Sequence, residues 1–129
     1  MATLKITVPE DSTQNIEGLV SINAPLEKVF EAHINEDLFT KWFMRGNEVV
    51  VKHYDGKSGG SWHIAEKDKE GNEYDFCGTY HEVALNERII WTFDFLGMPE
   101  RGHFSIERIN FVRIDDNSSK INYLSTFMT

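Results

Sequence analysis

The sequence predicts an α+β domain: one antiparallel sheet, with two short helices set in after an early strand. Three observations carry this. Residues 16–22 are rich in β-branched side chains. Residues 25–43 place their apolar side chains at helical spacing. From Glu48 onward the chain reads as successive strands joined by short polar turns, with period-2 alternation over Glu73–Val83 and Arg88–Phe95, the pattern of a meander with one apolar face.

Ile16 to Ile22 reads as a strand, stopped by Asn23-Ala24-Pro25. Pro25 is pre-organised for the first helical position, with Asn23 or Ala24 near the cap. Leu26, Val29, Phe30 and Ile34 then share one helical face. Asn35-Glu36-Asp37 breaks and restarts the pattern, Leu38, Phe39, Trp42 and Phe43 mark a second short helix, and Arg45-Gly46-Asn47 ends it. Strands follow over Glu48–Tyr54, Ser61–Glu66, Glu73–Val83, Arg88–Phe95, Phe104–Ile114 and Lys120–Met128. In the third of these, Tyr74, Phe76, Gly78 and Tyr80 fall on one face, with Asp75, Cys77, Thr79 and His81 on the other. Trp91, Phe93 and Phe95 likewise oppose Thr92 and Asp94. Residues 1–15 form a loose arm or an edge strand, and residues 16–129 form the domain.

A chain of 129 residues is one domain. It is 40% hydrophobic and 26% charged, an ordinary balance for a folded protein. With 13 Lys and Arg against 21 Asp and Glu, the net charge is −8. That argues against nucleic-acid binding, which needs a basic surface, and against docking on anionic lipid. No apolar run suits a signal peptide or a membrane span. The single Cys77 fits a reducing compartment, so the expected location is the cytoplasm.

The search for chemistry gives expected absences: no catalytic residue, no metal and no cofactor. His33, His53, His63, His81 and His103 form no metal-ligand spacing. Cys77 has no CxxC partner and reads as a small, half-buried hydrophobe. Gly56-Lys57-Ser58-Gly59-Gly60 lacks the spacing and the following helix of a phosphate loop, and reads as a turn. Asp115-Asp116-Asn117 lacks the closing Glu of a calcium loop. Asp94 lies on the outer face by parity, the alternative being a polar anchor inside the groove.

The aromatic residues are more informative. Trp42, Trp62, Phe76, Tyr80 and Trp91 are expected along the inward face, with Phe93, Phe95, Phe104 and Phe111. Ile64 and Tyr123 complete the expected lining of a groove. Core packing accounts for most of these side chains. The rest give an apolar groove with a few polar tips, the make-up of a small-molecule pocket.

The order of strand, two helices and long antiparallel sheet resembles the START-like, Bet v-like helix-grip (SRPBCC) superfamily. Ala24-Pro25, Val29-Phe30, Asp37-Leu38 and Lys41-Trp42-Phe43 match its first strand and helix pair. Gly59-Gly60-Ser61-Trp62, Glu70-Gly71, Cys77-Gly78-Thr79-Tyr80-His81-Glu82-Val83 and Glu87-Arg88-Ile89-Ile90-Trp91-Thr92-Phe93 resemble the subgroup of the activator of heat-shock-protein-90 ATPase, C-terminal domain. The likeness runs over about residues 16–128. Such proteins carry a long C-terminal helix across the concave sheet. The sequence ends at Thr129 on a strand, so the expectation is that this helix is absent. The groove is then covered by residues 1–15, through Leu4, Ile6 and Val8, or by a second copy in a homodimer.

The reading from the residues is a non-catalytic protein holding a hydrophobic small molecule in the groove. The resemblance implies an alternative, a co-chaperone-like module contacting a heat-shock ATPase. Cyclases and hydrolases occur elsewhere in the superfamily, but no acid–base pair in this sequence supports one.

Overall fold

Eight strands and two helices make up most of the residues that the computed structural model describes, which are 2–7, 14–43, 47–97 and 104–127. In chain order they are β1 (Ala2–Thr7), β2 (Asn15–Ile22), α1 (Leu26–Glu31), α2 (Glu36–Phe43), β3 (Glu48–Tyr54), β4 (Ser61–Lys67), β5 (Glu73–Ala84), β6 (Arg88–Phe95), β7 (Phe104–Asp115) and β8 (Ser118–Phe127). All eight strands form one antiparallel sheet in the order β1-β2-β8-β7-β6-β5-β4-β3. β3 to β8 are a meander of hairpins. The step from β2 to β3, at the far edge, is made by α1 and α2, which cross the sheet's inner face. The result is the α+β helix-grip architecture expected from the sequence.

The inner face is set by parity. Trp62, Ile64, Phe76, Tyr80, Ile89, Trp91, Ile109, Phe111 and Ile121 are all at most 8% exposed and pack with Leu26, Val29, Phe30 and Phe39 from the helices. Thr92 and Asp94 lie on the other face, where the Thr92 hydroxyl accepts the Thr79 amide hydrogen at 2.9 Å. A register shift after Tyr80 adds one residue, His81, so that Val83 rather than Glu82 returns to the core beside Ile89.

The helices are pinned by local chemistry. Pro25 is the N-cap of α1 and not its first helical residue, with ψ 144°. Its carbonyl accepts the amides of Lys28 and Val29. The Asn35 side chain caps α2 by accepting the Leu38 amide at 3.1 Å. Buried Ser119 on β8 donates to the Ala24 carbonyl at 3.0 Å, and Arg113 on β7 pairs with Glu27 on α1. Gly71, at φ +86°, turns the β4–β5 hairpin, while the Asp68 carboxylate accepts the Glu70 and Asn72 amides, each at 2.9 Å. The Gly56–Gly60 segment is a turn, and the Gly59 amide donates to the Tyr80 carbonyl at 2.8 Å.

The first residues extend the sheet and do not fold over it. β1 pairs with β2 along Ala2–Thr7, and Leu4 and Ile6 are each 54% exposed, so neither covers the groove. Val8, His103, Met128, Arg45 and Gly46 lie outside the described residues.

Candidate functional site

Spacing along α1 and the following turn decides what faces the sheet. Leu26, Val29, Phe30 and His33 stand at i, i+3, i+4 and i+7, one helical stripe. The His33 ring therefore enters the apolar layer. It packs edge-on against Phe111 at 5.1 Å between centroids, with Trp42 at 5.3 Å and Trp91 at 6.4 Å. Its Nδ1 lies 2.8 Å from the Val29 carbonyl oxygen. A carbonyl only accepts, so Nδ1 carries the hydrogen and Nε2 is left as an acceptor. Burial pushes the His33 pKa below its ordinary value, so the ring is neutral.

Beside this ring is a cavity of about 510 Å³ between β2 and the two helices. Its walls are Val20 and Ile22 from β2, Ala24, Val29 and Ala32 around α1, and Trp42 from α2, with His33 and Lys28 as its polar residues. Trp42 is held in place by its indole N–H, which donates to the Ala32 carbonyl at 2.7 Å. The floor behind His33 is rigid: Tyr80 donates to the His33 carbonyl at 2.9 Å, and its oxygen lies 2.8 Å from the Tyr54 hydroxyl. Burial raises both phenols well above their ordinary pKa, Tyr54 to about 12, so neither ionises near neutral pH.

A carboxylate stands further along the inner face. Glu107 accepts the Trp91 indole N–H at 2.7 Å on one oxygen and the Ser125 hydroxyl at 2.8 Å on the other. The neighbouring Tyr123 phenol is raised by burial first and by the Glu107 charge second. At the β4–β6 end, buried Glu66 borders a second hollow of about 500 Å³ with Asn47, Tyr74, Phe76 and Phe95.

The groove expected from the sequence is thus divided. Trp62, Ile64, Phe76, Tyr80, Trp91 and Phe111 are core, closed over by α1 and α2. Phe93, Phe95 and Tyr123 are half-buried against that core, with Phe76 and Phe95 stacked at 5.0 Å. Trp42 lines the open cavity. Phe104 is a correction: it pairs with Asp94, so it lies on the outer face. The parity of β7 puts Ser105, Glu107, Ile109 and Phe111 inward, and an aromatic at an even position cannot join them. Val20, Ile22, His33 and Glu107 were not among the expected lining residues. The i+7 spacing from Leu26 was the signal for His33, and alternation with Ile109 was the signal for Glu107.

The outer face carries a separate polar group. Asp75 accepts Lys52 Nζ at 2.8 Å and lies 2.7 Å from His63 Nε2. Lys52 first, and His63 with it, holds the Asp75 carboxyl below its ordinary pKa. Half-buried Cys77 pairs across strands with His63 and Asp94. Among the described residues no three His, Cys, Asp or Glu side chains are arranged to hold a metal ion. Nor is any described helix long and apolar enough to cross a membrane.

A sheet gripping two helices, with an apolar cavity where the helices meet its inner face, defines a START-like helix-grip domain. Within that class the chain matches, over residues 23–125, the family described as Activator of Hsp90 ATPase homolog 1-like protein, and it belongs to that family. No match was found among the curated proteins. Solved structures share the fold at low identity. A Rhodobacter sphaeroides protein superposes with a TM-score of 0.80 at 15% identity, covering 97% of this chain and 80% of its own. One from Chromobacterium violaceum, CV1439, gives 0.78 at 21% identity over 91% and 81%. One from Arthrobacter aurescens gives 0.84 at 8% identity over 97% and 74%.

Proposed function

We propose that the protein is a non-catalytic binder of an apolar small molecule, held in the cavity between β2 and the α1–α2 pair. The observation that carries this is the cavity's make-up. Its volume of about 510 Å³ falls within the roughly 300–1,000 Å³ of small-molecule sites. Its walls are aliphatic or aromatic apart from His33 and Lys28, the pattern of few polar groups in an apolar pocket. A non-catalytic role is favoured by the state of the inner-face groups. Both Glu107 oxygens accept hydrogen bonds from protein groups, and among the described residues no side-chain acid or base is hydrogen-bonded to the His33 ring. Native mass spectrometry of the purified protein tests the reading, together with tryptophan quenching by a panel of lipids and aromatic metabolites. A retained or quenching apolar ligand, lost in Ala32→Phe, supports it. No ligand from the whole panel overturns it.

The family description favours a second reading, contact with a heat-shock ATPase. The exposed apolar residues Leu4, Ile6 and Trp42 offer a surface for it. Stimulation of such an ATPase by the purified protein, abolished by Ile6→Glu, would move the assignment there.

A further inference from the structure

The cavity's hydrogen-bonding inventory is one-sided, and this specifies its ligand further. The Trp42 indole N–H is spent on the Ala32 carbonyl. The amides of Ala32 and His33 are spent inside the helical turns, on Lys28 and Phe30. The two phenols behind His33 are engaged with each other and with its carbonyl. On the acceptor side, His33 gives its Nδ1 hydrogen to Val29. Among the described residues no protein group hydrogen-bonds its Nε2. Lys28 is exposed, so its ammonium remains hydrated at the rim.

A polar ligand atom beside the His33 ring therefore meets an acceptor, while the charged donor of the lining, the Lys28 ammonium, stands at the exposed rim. A ligand carbonyl or carboxylate seated against the ring would lose water with no donor there to replace it, at a cost of about 1–3 kcal/mol or more. A hydroxyl hydrogen would find the imidazole lone pair. We propose that the ligand is an apolar alcohol or phenol, which donates its hydroxyl hydrogen to Nε2 of His33 while its hydrocarbon body rests on Val20, Ile22, Val29 and Trp42. The inference rests on the small-molecule reading above and narrows it to one chemical class. The neutrality of the half-buried imidazole agrees with it, because a protonated ring would present a second donor instead.

A matched probe pair tests this on the unmodified protein: 1-naphthol, which has the hydroxyl, and 1-methylnaphthalene, which replaces it with a methyl group. Calorimetric titration is expected to show 1-naphthol binding about tenfold more tightly, the worth of one buried hydrogen bond. The methyl compound is the more hydrophobic, so burial alone predicts the reverse order. In nitrogen NMR the His33 Nε2 resonance is expected to shift on adding 1-naphthol, with Nδ1 remaining protonated. His33→Asn can keep a side-chain N–H for the Val29 carbonyl but has no Nε2, and it is expected to bind the two probes equally. Equal binding by the unmodified protein, or an unmoved Nε2 resonance, overturns the alcohol assignment while leaving an apolar site standing. Binding of neither probe overturns both this inference and the reading it rests on.

Discussion

The Tyr80 phenol donates its hydrogen to the His33 backbone carbonyl, 2.9 Å away across 47 residues of chain. That bond joins the middle of β5 to the turn between α1 and α2, and so fixes the depth at which the helix pair sits on the sheet. The Tyr54 oxygen is 2.8 Å from the Tyr80 oxygen and 3.4 Å from the same carbonyl. Since Tyr80 has already given its only hydrogen, Tyr54 is the donor to Tyr80.

Order in this chain of donors predicts unequal costs. Tyr80→Phe leaves the His33 carbonyl with at most the weak Tyr54 contact and removes the acceptor Tyr54 uses, so a loss of about 1–3 kcal/mol is expected. Tyr54→Phe leaves the Tyr80–His33 bond intact and is expected to cost about 1 kcal/mol or less. Urea unfolding of both variants and of the double variant checks this. Equal losses would mean that the donor order is wrong.

Gly78 is irreplaceable for a reason of space. A Cβ there would lie 2.0 Å from the Thr92 carbonyl oxygen and 2.7 Å from the Trp62 indole nitrogen. The first contact is backbone of the adjacent strand and cannot move without opening the β5–β6 pairing. Gly78→Ala is expected to destabilise by about 3 kcal/mol, the upper end for overpacking. Gly71→Ala, in open space at φ +86°, meets only backbone strain, about 1 kcal/mol. Thermal melts that rank the two in the other order would contradict the β5–β6 geometry.

The half-buried imidazole sets a pH dependence. The pKa of His33 in the folded protein is below its ordinary value, because burial disfavours the charged ring. On acidification the unfolded chain therefore takes up a proton before the folded chain does. The stabilisation from this residue is complete above the ordinary histidine value of about 6.5 and is lost as the pH falls below it. His33→Asn is expected to flatten the stability profile just below pH 6.5. Asp75, whose pKa is lowered chiefly by Lys52, acts in a separate, more acidic window. Its contribution is complete above the ordinary carboxylate range and is lost below it. Chemical denaturation from pH 7.5 to about 3, with and without the His33 change, separates the two. An unchanged slope in the variant would assign the dependence to other groups.

Most of the fold could be read from parity and turn chemistry. Glu48–Tyr54 and Arg88–Phe95 are strands at the residues expected, because both are bounded by turn residues and rich in β-branched or aromatic side chains. The prediction that Trp62, Phe76, Trp91 and Phe93 share one face agrees with their ring contacts, Trp62 to Phe93 at 5.6 Å and Phe76 to Phe93 at 5.8 Å. The site was less legible. The open cavity depends on where the helices leave the sheet uncovered, and no local pattern encodes that. Aromatic character marked the core, whereas the cavity wall is mainly small aliphatic residues such as Val20, Ala24 and Ala32. Phe104 was misplaced because it was grouped by type when its position along β7 decides its face. His33 stood among five histidines, and its place on the helical stripe of Leu26, Val29 and Phe30 distinguished it.

Self-association is the last expectation, and it follows from the exposed apolar side chains on the inner-face side of the sheet and on α2. Leu4 pairs across strands with Val20, and Ile6 with Gly18, so both lie on the inner-face side beside the cavity. Leu4 and Ile6 are 54% exposed and Trp42 is 48% exposed. Apolar surface of this kind is seldom left bare on a monomer. Covering it is worth about 25 cal/mol per Å² before the entropy of association is subtracted. The free edge of β1 is a poor alternative contact, because the strand is only six residues long and carries Lys5. Face-to-face packing of two copies about a two-fold axis is therefore the expected mode. The net charge of −8 opposes it only weakly at physiological salt, where screening acts within about 8 Å. Sedimentation velocity at micromolar concentration is expected to show a dimer that Ile6→Glu dissociates without loss of fold. A species that stays at the 14.9 kDa monomer mass as concentration rises would reject the dimer. It would leave these side chains as a free surface, available to the ligand or to a partner protein.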